Sequence, residues 1–306
     1  MNPSVTIVSI ADVPLHIPGG IGREGSSASK PFPLDSGVPG VRLEFTWRRY
    51  DKGYGTPRHK HIFDQYRFNM TGKRQIKDGF LEPGEVAFYP EGVSYGPQLQ
   101  EEECTGLGLQ FQGLAGIPYL THKELNDARR ALSADGGTFE GGIYTKILPN
   151  GRKINKDSHV ACSEYVSGKK ISFPRGRFEK PIVMRPEAHP WIGDRKLDGV
   201  AHRHCGTFGG SGIRFTRLLP GARIPARHEE DAEIRYLIEG SIEYDGKIWA
   251  GGQTPEIGTY MFVQAGAEVG EISSKTGGVF YVIELPMLAD IAAQRARESA
   301  KAAAAQ

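Results

Sequence analysis

Cysteine is scarce in this chain: three in 306 residues, Cys104, Cys162 and Cys205, with no C-x-x-C pair among them. So sparse and odd a set excludes a disulfide framework. Long apolar runs are missing too, and none approaches the roughly 18 residues a membrane span needs. The opening stretch MNPSVTIVSIADVPLHIPGG has neither a basic n-region nor a sustained apolar core, so no signal peptide is expected. Excess charge is also lacking. With 38 Lys and Arg against 36 Asp and Glu, the net charge is +2, which gives no broad electrostatic footprint for nucleic acid or an anionic membrane. A cytoplasmic protein without nucleic-acid or membrane partners is the expectation.

Turn formers, by contrast, are plentiful. The 40 glycines and 20 prolines suit a chain of many short strands joined by tight turns. At 39% hydrophobic and 24% charged residues the composition is that of a globular protein, and 306 residues allow about two domains. From residue 41 to about 115 the pattern has period two, with VRLEFTW, DQYRFNM, EVAFYP and GLGLQF reading as strands. THKELNDARRALSADGG then changes period. Thr121 and Glu124 have the spacing of a capping box, and Gly136 and Gly137 close a helix of about three turns. Strand patterning returns in GIRFTRLL, EIRYLIEGSIEYDG, TYMFVQAG and GVFYVIELP, and MLADIAAQRARESAKAAAAQ is composed for a terminal helix.

The two strand-rich halves repeat one another. Setting Gly53 on Gly221 brings Pro57 onto Pro225, Gln65 onto Glu233, Arg67 onto Arg235 and Gly72 onto Gly240, without a gap. A second block follows in each half: Gly84-x5-Pro90-x-Gly92-x2-Tyr95 beside Gly258-x5-Gln264-x-Gly266-x2-Val269. The first half therefore reads G-x5-H-x-H-x3-Q-x6-G and then G-x5-P-x-G-x2-Y, which resembles the paired motifs of the cupin superfamily. The resemblance implies an all-β bicupin: two tandem double-stranded β-helix (jelly-roll) barrels with a linker helix and a C-terminal helix. The expected division is 1–118 for an N-terminal arm and first barrel, 119–140 for the linker helix, 141–286 for the second barrel and 287–306 for the terminal helix.

The stretch GTPRHKHIFDQYRFNMTG decides where the chemistry is sought. Residues two apart on a strand share a face, so His59 and His61 project together, as chelation by two imidazoles requires. In the family these positions point into the barrel, where a Glu and a later His complete the metal shell. Here Gln65 stands for the Glu and Tyr95 for the His. The resemblance thus implies one divalent metal ion (Zn, Fe, Mn or Ni) held by His59, His61 and Gln65, with Tyr95 as a fourth ligand or an acid/base. Arg67 shares the face of Gln65 and suits an anionic oxygen donor; the alternative is a structural ion pair with Glu44 or Glu85. Asp64 has the opposite parity. Gln98 is a weaker cavity candidate.

At the corresponding positions the second half carries Arg227, Glu229, Glu233 and Val269. Arginine cannot ligate and valine has no donor, so this barrel is expected to be metal-free, with Arg227, Glu229, Glu233 and Arg235 as an internal ion-pair network. AHRHC, with His202, His204 and Cys205, has residue types suited to zinc but no fourth partner, and reads as a loop. The Gly-rich GGIGREG follows no strand and opens no helix, which excludes a phosphate loop.

The expectation is a metal-dependent enzyme acting on a small oxygen-bearing anion in the first barrel, with Tyr95 and Arg67 as its catalytic side chains. Neutral ligands leave the metal's charge uncompensated, which favours isomerase or lyase chemistry, with a dioxygenase as the redox counterpart. The alternative is a non-catalytic binding or sensory bicupin. The expected partner is a small molecule, with a homodimer left open.

Overall fold

The computed structural model describes residues 2–17, 23, 25–76, 79–112, 120–291, 293 and 297. They form two compact units, one built from Leu15–Pro31 and Arg42–Val183, the other from Met1–Pro14, Phe32–Val41 and Met184–Gln306.

In the unit that carries the HKH stretch, the main sheet orders its strands Val86–Tyr89, Phe63–Thr71, Cys104–Gln112, Leu43–Tyr50 and Ser27–Pro31. All these neighbours pair antiparallel. Period-two patterning sorts the faces. Phe45, Trp47, Tyr66, Phe68, Leu107 and Leu109 lie on one face and are each at most 2% exposed. Burying side chains of this size contributes about 1.5–3 kcal/mol apiece. The opposite face carries Glu44, Thr46, Arg48 and Tyr50 from one strand and Gln65, Arg67 and Asn69 from another. Short pairings complete the jelly roll: Gly55–Thr56 with Gln98–Leu99, a single bridge of His59 to Tyr95, and a hairpin of Arg74–Ile76 with Gly79–Leu81.

The other unit repeats the scheme with strands Val5–Ser9, Thr259–Val263, Ala232–Tyr244, Gly278–Leu285, Ser211–Leu218 and Val200–Phe208 in sheet order. Leu218, Leu237, Met261, Val263, Phe280 and Val282 are buried in its core. The sequence repeat is matched by register within each unit. Gln65 faces Tyr89 as Glu233 faces Val263, and His59 faces Tyr95 as Arg227 faces Val269. The motif glycines Gly72 and Gly240 both have positive φ, +65° and +74°, and a Cβ there would lie 2.2 and 2.0 Å from a facing carbonyl oxygen. Only glycine turns the chain so close to its neighbour.

Helix α1 spans His122–Ala134, and its capping box forms: Glu124 N–H donates to Thr121 Oγ1, and Thr121 N–H donates to the Glu124 carboxylate at 2.8 Å. Helix α2, Ser158–Ser167, was not legible as a helix in the sequence. Asp157 caps it by accepting from the N–H groups of His159 and Val160, and left-handed Gly168 follows its end. The two helices share a core of Leu125, Ala128 and Cys162.

The units do not follow the expected boundaries. Val5–Ser9 pairs with Thr259–Val263 rather than with its near neighbours in sequence, so the N-terminal arm belongs to the other unit. Residues 141–183, expected to open the second barrel, remain with the first, where Ile143–Ile147 and Lys153–Asp157 form a small sheet beside α2. Residues 287–291 are helical, and most of the expected C-terminal helix beyond them lies outside the described residues, as does most of the GGIGREG stretch. No helix among the described residues is long and apolar enough to cross a membrane.

Candidate metal and anion site

His59, His61, Gln65 and Arg67, which share parity, come together in the first unit, and Tyr95 joins them through its bridge to His59. Backbone bonds in both directions tie His59 to Tyr95, at 3.0 and 2.9 Å. The rings of His59 and His61 lie 4.9 Å apart, and His59 lies 4.4 Å from the Tyr95 ring. His59 Nδ1 donates to the Pro57 carbonyl at 2.7 Å, which leaves Nε2 with its lone pair. Burial, aided by the charge of Arg23, pushes His59 down to about 3. Burial and the neighbouring imidazoles push His61 well below its usual value. Both rings are therefore neutral near pH 7, the form that binds a metal.

Gln65 and Tyr95 are held by one another and by Arg67. Gln65 Nε2 donates to Tyr95 Oη at 2.8 Å, Arg67 Nε donates to Gln65 Oε1 at 2.9 Å, and Arg67 Nη2 donates to Tyr95 Oη at 3.2 Å. Tyr95 Oη thus accepts two hydrogen bonds and keeps its own proton to give. Burial pushes that phenol up to about 12 even beside Arg67. Neither ion pair considered for Arg67 forms: Glu44 pairs with Arg48 at 2.7 Å, and Glu85 accepts from the Glu82 N–H at 2.9 Å. The Arg67 guanidinium instead stacks on the Tyr89 ring at 4.4 Å. Asp64 faces away, as its parity demands, accepting from Glu91 N–H and pairing with Arg177. Gln98 lines the cavity, but its amide donates to the Gln75 carbonyl.

The histidines and Arg67 border a cavity of about 110 Å3. Sequence reasoning missed several of the residues around it. His159 enters from the first turn of α2, its ring 6.0 Å from His61, and Arg23 lies 3.5 Å from the capping Asp157. Arg48, Tyr50 and Arg74 also line it. Arg48 and Tyr50 could have been found by carrying the alternation of VRLEFTW three residues further. No motif marks His159 or Arg23.

A metal fits the donors in part. Two neutral imidazoles with free lone pairs suit a divalent ion, and Gln65 Oε1 retains a second lone pair beyond the one Arg67 uses. A protonated Tyr95 does not suit ligation. Among the described residues no group of three or more His, Cys, Asp or Glu side chains is placed to hold a metal, so the set depends on the amide.

In the second unit the aligned positions form an ion-pair ladder. Arg235 bonds Glu229 and Glu233, Arg214 reaches Glu233 at 2.7 Å and Glu284 at 2.6 Å, and Arg227 reaches Glu229 at 2.6 Å. Burial raises Glu233, but Arg235 and Arg214 outweigh it and hold the carboxyl at about 2. The AHRHC residues are not a loop. They lie on Val200–Phe208, which pairs with Ser211–Leu218, and His202 contacts Asp194 and Thr216 at 3.2 and 3.1 Å.

Solved structures share this architecture over most of the chain. One, described as a putative dioxygenase from Nostoc punctiforme, is 12% identical with a TM-score of 0.64, covering 94% of this chain and 85% of that one. The chain has the fold of a bicupin. A bicupin neighbour, Bacillus subtilis oxalate decarboxylase with its Mn(II) centres, is 15% identical with a TM-score of 0.51, over 91% of this chain and 76% of that one. The putative glyoxylate-induced protein of Pseudomonas aeruginosa is 10% identical with a TM-score of 0.51, over 85% and 80%. At such identities the likeness is one of fold. Neither a protein-family model nor a curated protein matches the sequence.

Proposed function

We propose that the first barrel is the working site of a metal-dependent bicupin enzyme acting on a small, oxygen-bearing anion. The carrying observation is the placement of two buried, neutral imidazoles beside arginines in one cavity whose lining includes no Asp or Glu among the described residues. In this reading His59 and His61 hold the metal, with Gln65 Oε1 as the third donor. The metal, when bound, supplies a Lewis acid that polarises an anionic oxygen. Arg67 orients the ligand while fixing Gln65 and Tyr95. Tyr95, which keeps its proton, donates to oxygen as charge develops there. Neutral donors beside a guanidinium leave the metal's charge to be balanced by the ligand, which supports isomerase or lyase chemistry. The putative dioxygenase and the oxalate decarboxylase among the fold neighbours keep both redox and carbon–carbon bond-breaking chemistry in the panel to be tested.

The same hydrogen bonds favour a second reading, a bicupin that binds its anion without metal or turnover, because Arg67 already occupies one lone pair of Gln65. Elemental analysis of purified protein separates the two. About one divalent ion per chain, lost in the His59→Ala, His61→Ala double variant, and chelator-sensitive turnover of small acids or diketones are expected for the enzyme. Full metal content in the double variant refutes the ligand assignment. A metal-free wild type that still binds anions supports the second reading.

A further inference from the structure

The cavity extends past the histidines along a wall of arginines. Arg48, Arg67 and Arg74, with Tyr50 and Gln110, also line a smaller adjoining void whose other walls include Gly106 and Gly108. Strand register explains this void. Gly106, Gly108 and Gln110 stand opposite Arg48, Thr46 and Glu44 on one side and Asn69, Arg67 and Gln65 on the other. Partners directly opposite in a sheet share a face, so the glycines leave space among the guanidinium groups. A Cβ at Gly108 would meet only the Tyr66 carbonyl oxygen, at 3.8 Å.

The charges there are poorly matched. Arg48 has Glu44, but no Asp or Glu among the described residues lines either void. Arg74 is 7% exposed, its guanidinium lies 4.2 Å above the Tyr50 ring, and its Nε has no hydrogen-bond partner among the described residues. Arg67 Nη1 is buried and unpartnered in the same way. A buried guanidinium N–H normally has an acceptor, and the planar fork of arginine matches the oxygens of carboxylate and phosphate. The local field is strong enough to act on a neighbouring phenol. Burial raises Tyr50, but Arg74, Arg48 and Arg67 outweigh it and leave the group at about 7.

We propose that Arg67 and Arg74, with Arg48 beside them, form an acid-group subsite, so that the ligand of this barrel carries one carboxylate or phosphate here and further oxygens toward His59 and His61. The preferred ligand is then a dianion rather than a simple monocarboxylate. This rests on reading the first barrel as the ligand site, but not on the metal.

Calorimetric titration of the whole chain, treated with chelator and held at fixed ionic strength, tests it with inorganic phosphate, succinate and acetate as probes. Phosphate or succinate should bind at least about tenfold more tightly than acetate, and Arg74→Gln should lose about tenfold of that advantage. Tight phosphate without succinate assigns a phosphorylated ligand, and the converse assigns a dicarboxylate. Gly108→Val, placed where a Cβ has room, should abolish the preference by filling the void while thermal unfolding stays cooperative. The Arg74→Gln loss should be read with phosphate both in chelator-treated protein and after one equivalent of divalent metal is returned; no metal uptake with the Arg74→Gln loss intact refutes the metal reading alone, so its failure and failure of the subsite are told apart. Binding of both dianions no tighter than acetate overturns the subsite. So does binding that Arg74→Gln and Gly108→Val leave unchanged.

Discussion

Replacing Arg67 by methionine separates support from recognition at one side chain. Arginine here makes two hydrogen bonds, to Gln65 Oε1 at 2.9 Å and Tyr95 Oη at 3.2 Å, and covers the Tyr89 ring at 4.4 Å. Bonds from a charged donor contribute about 1.5–3 kcal/mol each, so an upper bound for both is about 3–6 kcal/mol. The net loss should be smaller. Gln65 and Tyr95 keep their mutual bond at 2.8 Å, methionine retains most of the apolar stem, and the charge no longer has to be desolvated. A stability loss of about 1–3 kcal/mol, read as a shift in urea midpoint, is the expected outcome. Arg67 Nη1 has no protein partner among the described residues, so one charge-assisted contact to the ligand is lost as well. Affinity for phosphate or succinate, measured per folded molecule, should fall about ten- to a hundredfold. Metal content should not change, because arginine is never a ligand. A drop in stability with affinity unaltered would make Arg67 a strut for Gln65 and Tyr95 and remove it from ligand recognition.

In the second unit the held-down Glu233 makes stability depend on acid. Its folded value of about 2 lies below the ordinary 4.5, so the unfolded chain takes up the proton first. The contribution, about 3 kcal/mol, is full above pH 4.5 and drains away as pH falls toward 2. Urea midpoints across that window should show the slope in the parent chain and a flatter one in Glu233→Gln, and equal slopes would refute the assignment. Tyr50, pulled to about 7, should show phenolate absorbance growing in near neutral pH, absent from Tyr50→Phe, with anion affinity weakening as the phenolate forms. Because that folded value lies below the ordinary 10, raising pH from 7 toward 10 should also add stability through Tyr50. Gly72→Ala and Gly240→Ala should each lower the melting temperature sharply, since a left-handed backbone costs a non-glycine residue about 1–2 kcal/mol before the carbonyl clash is counted. Native-like melting of either variant would mean the turn can be rebuilt.

Spacing made the first barrel's histidines legible, because period two fixes which side chains of a strand share a face. That rule placed His59, His61, Gln65 and Arg67 together and set Asp64 apart, where it meets Arg177. It also anticipated the ion-pair ladder of Arg227, Glu229, Glu233 and Arg235, since four charges on one inner face must neutralise each other. Alternation does not say what a polar atom is bonded to. The engagement of Gln65 and Tyr95 by Arg67 follows from side-chain lengths across neighbouring strands, which no spacing records. His159 and Arg23 reach the cavity from a helix turn and an irregular segment, where neighbours are set by tertiary packing alone. The unit boundary was missed for a related reason. A strand such as Val5–Ser9 carries its own hydrophobic pattern, but its partner is decided by which sheet has an edge to offer.

That strand governs how this protein can be made and cut. Neither unit is one continuous piece of chain. The one containing Glu233 takes up residues 2–14 and 32–41, which in the sequence precede and interrupt the barrel that carries the histidines. During synthesis Val5–Ser9 emerges early and must wait for Thr259–Val263, about 250 residues later, before its edge is satisfied. The histidine barrel lies almost wholly between those two strands and can close first. A fragment starting near residue 184 would expose the Thr259–Val263 edge and is expected to aggregate, whereas supplying residues 2–14 as a separate peptide should restore its solubility. A separately expressed version of either barrel therefore has to follow the strand pairing, because no single cut in the sequence separates them.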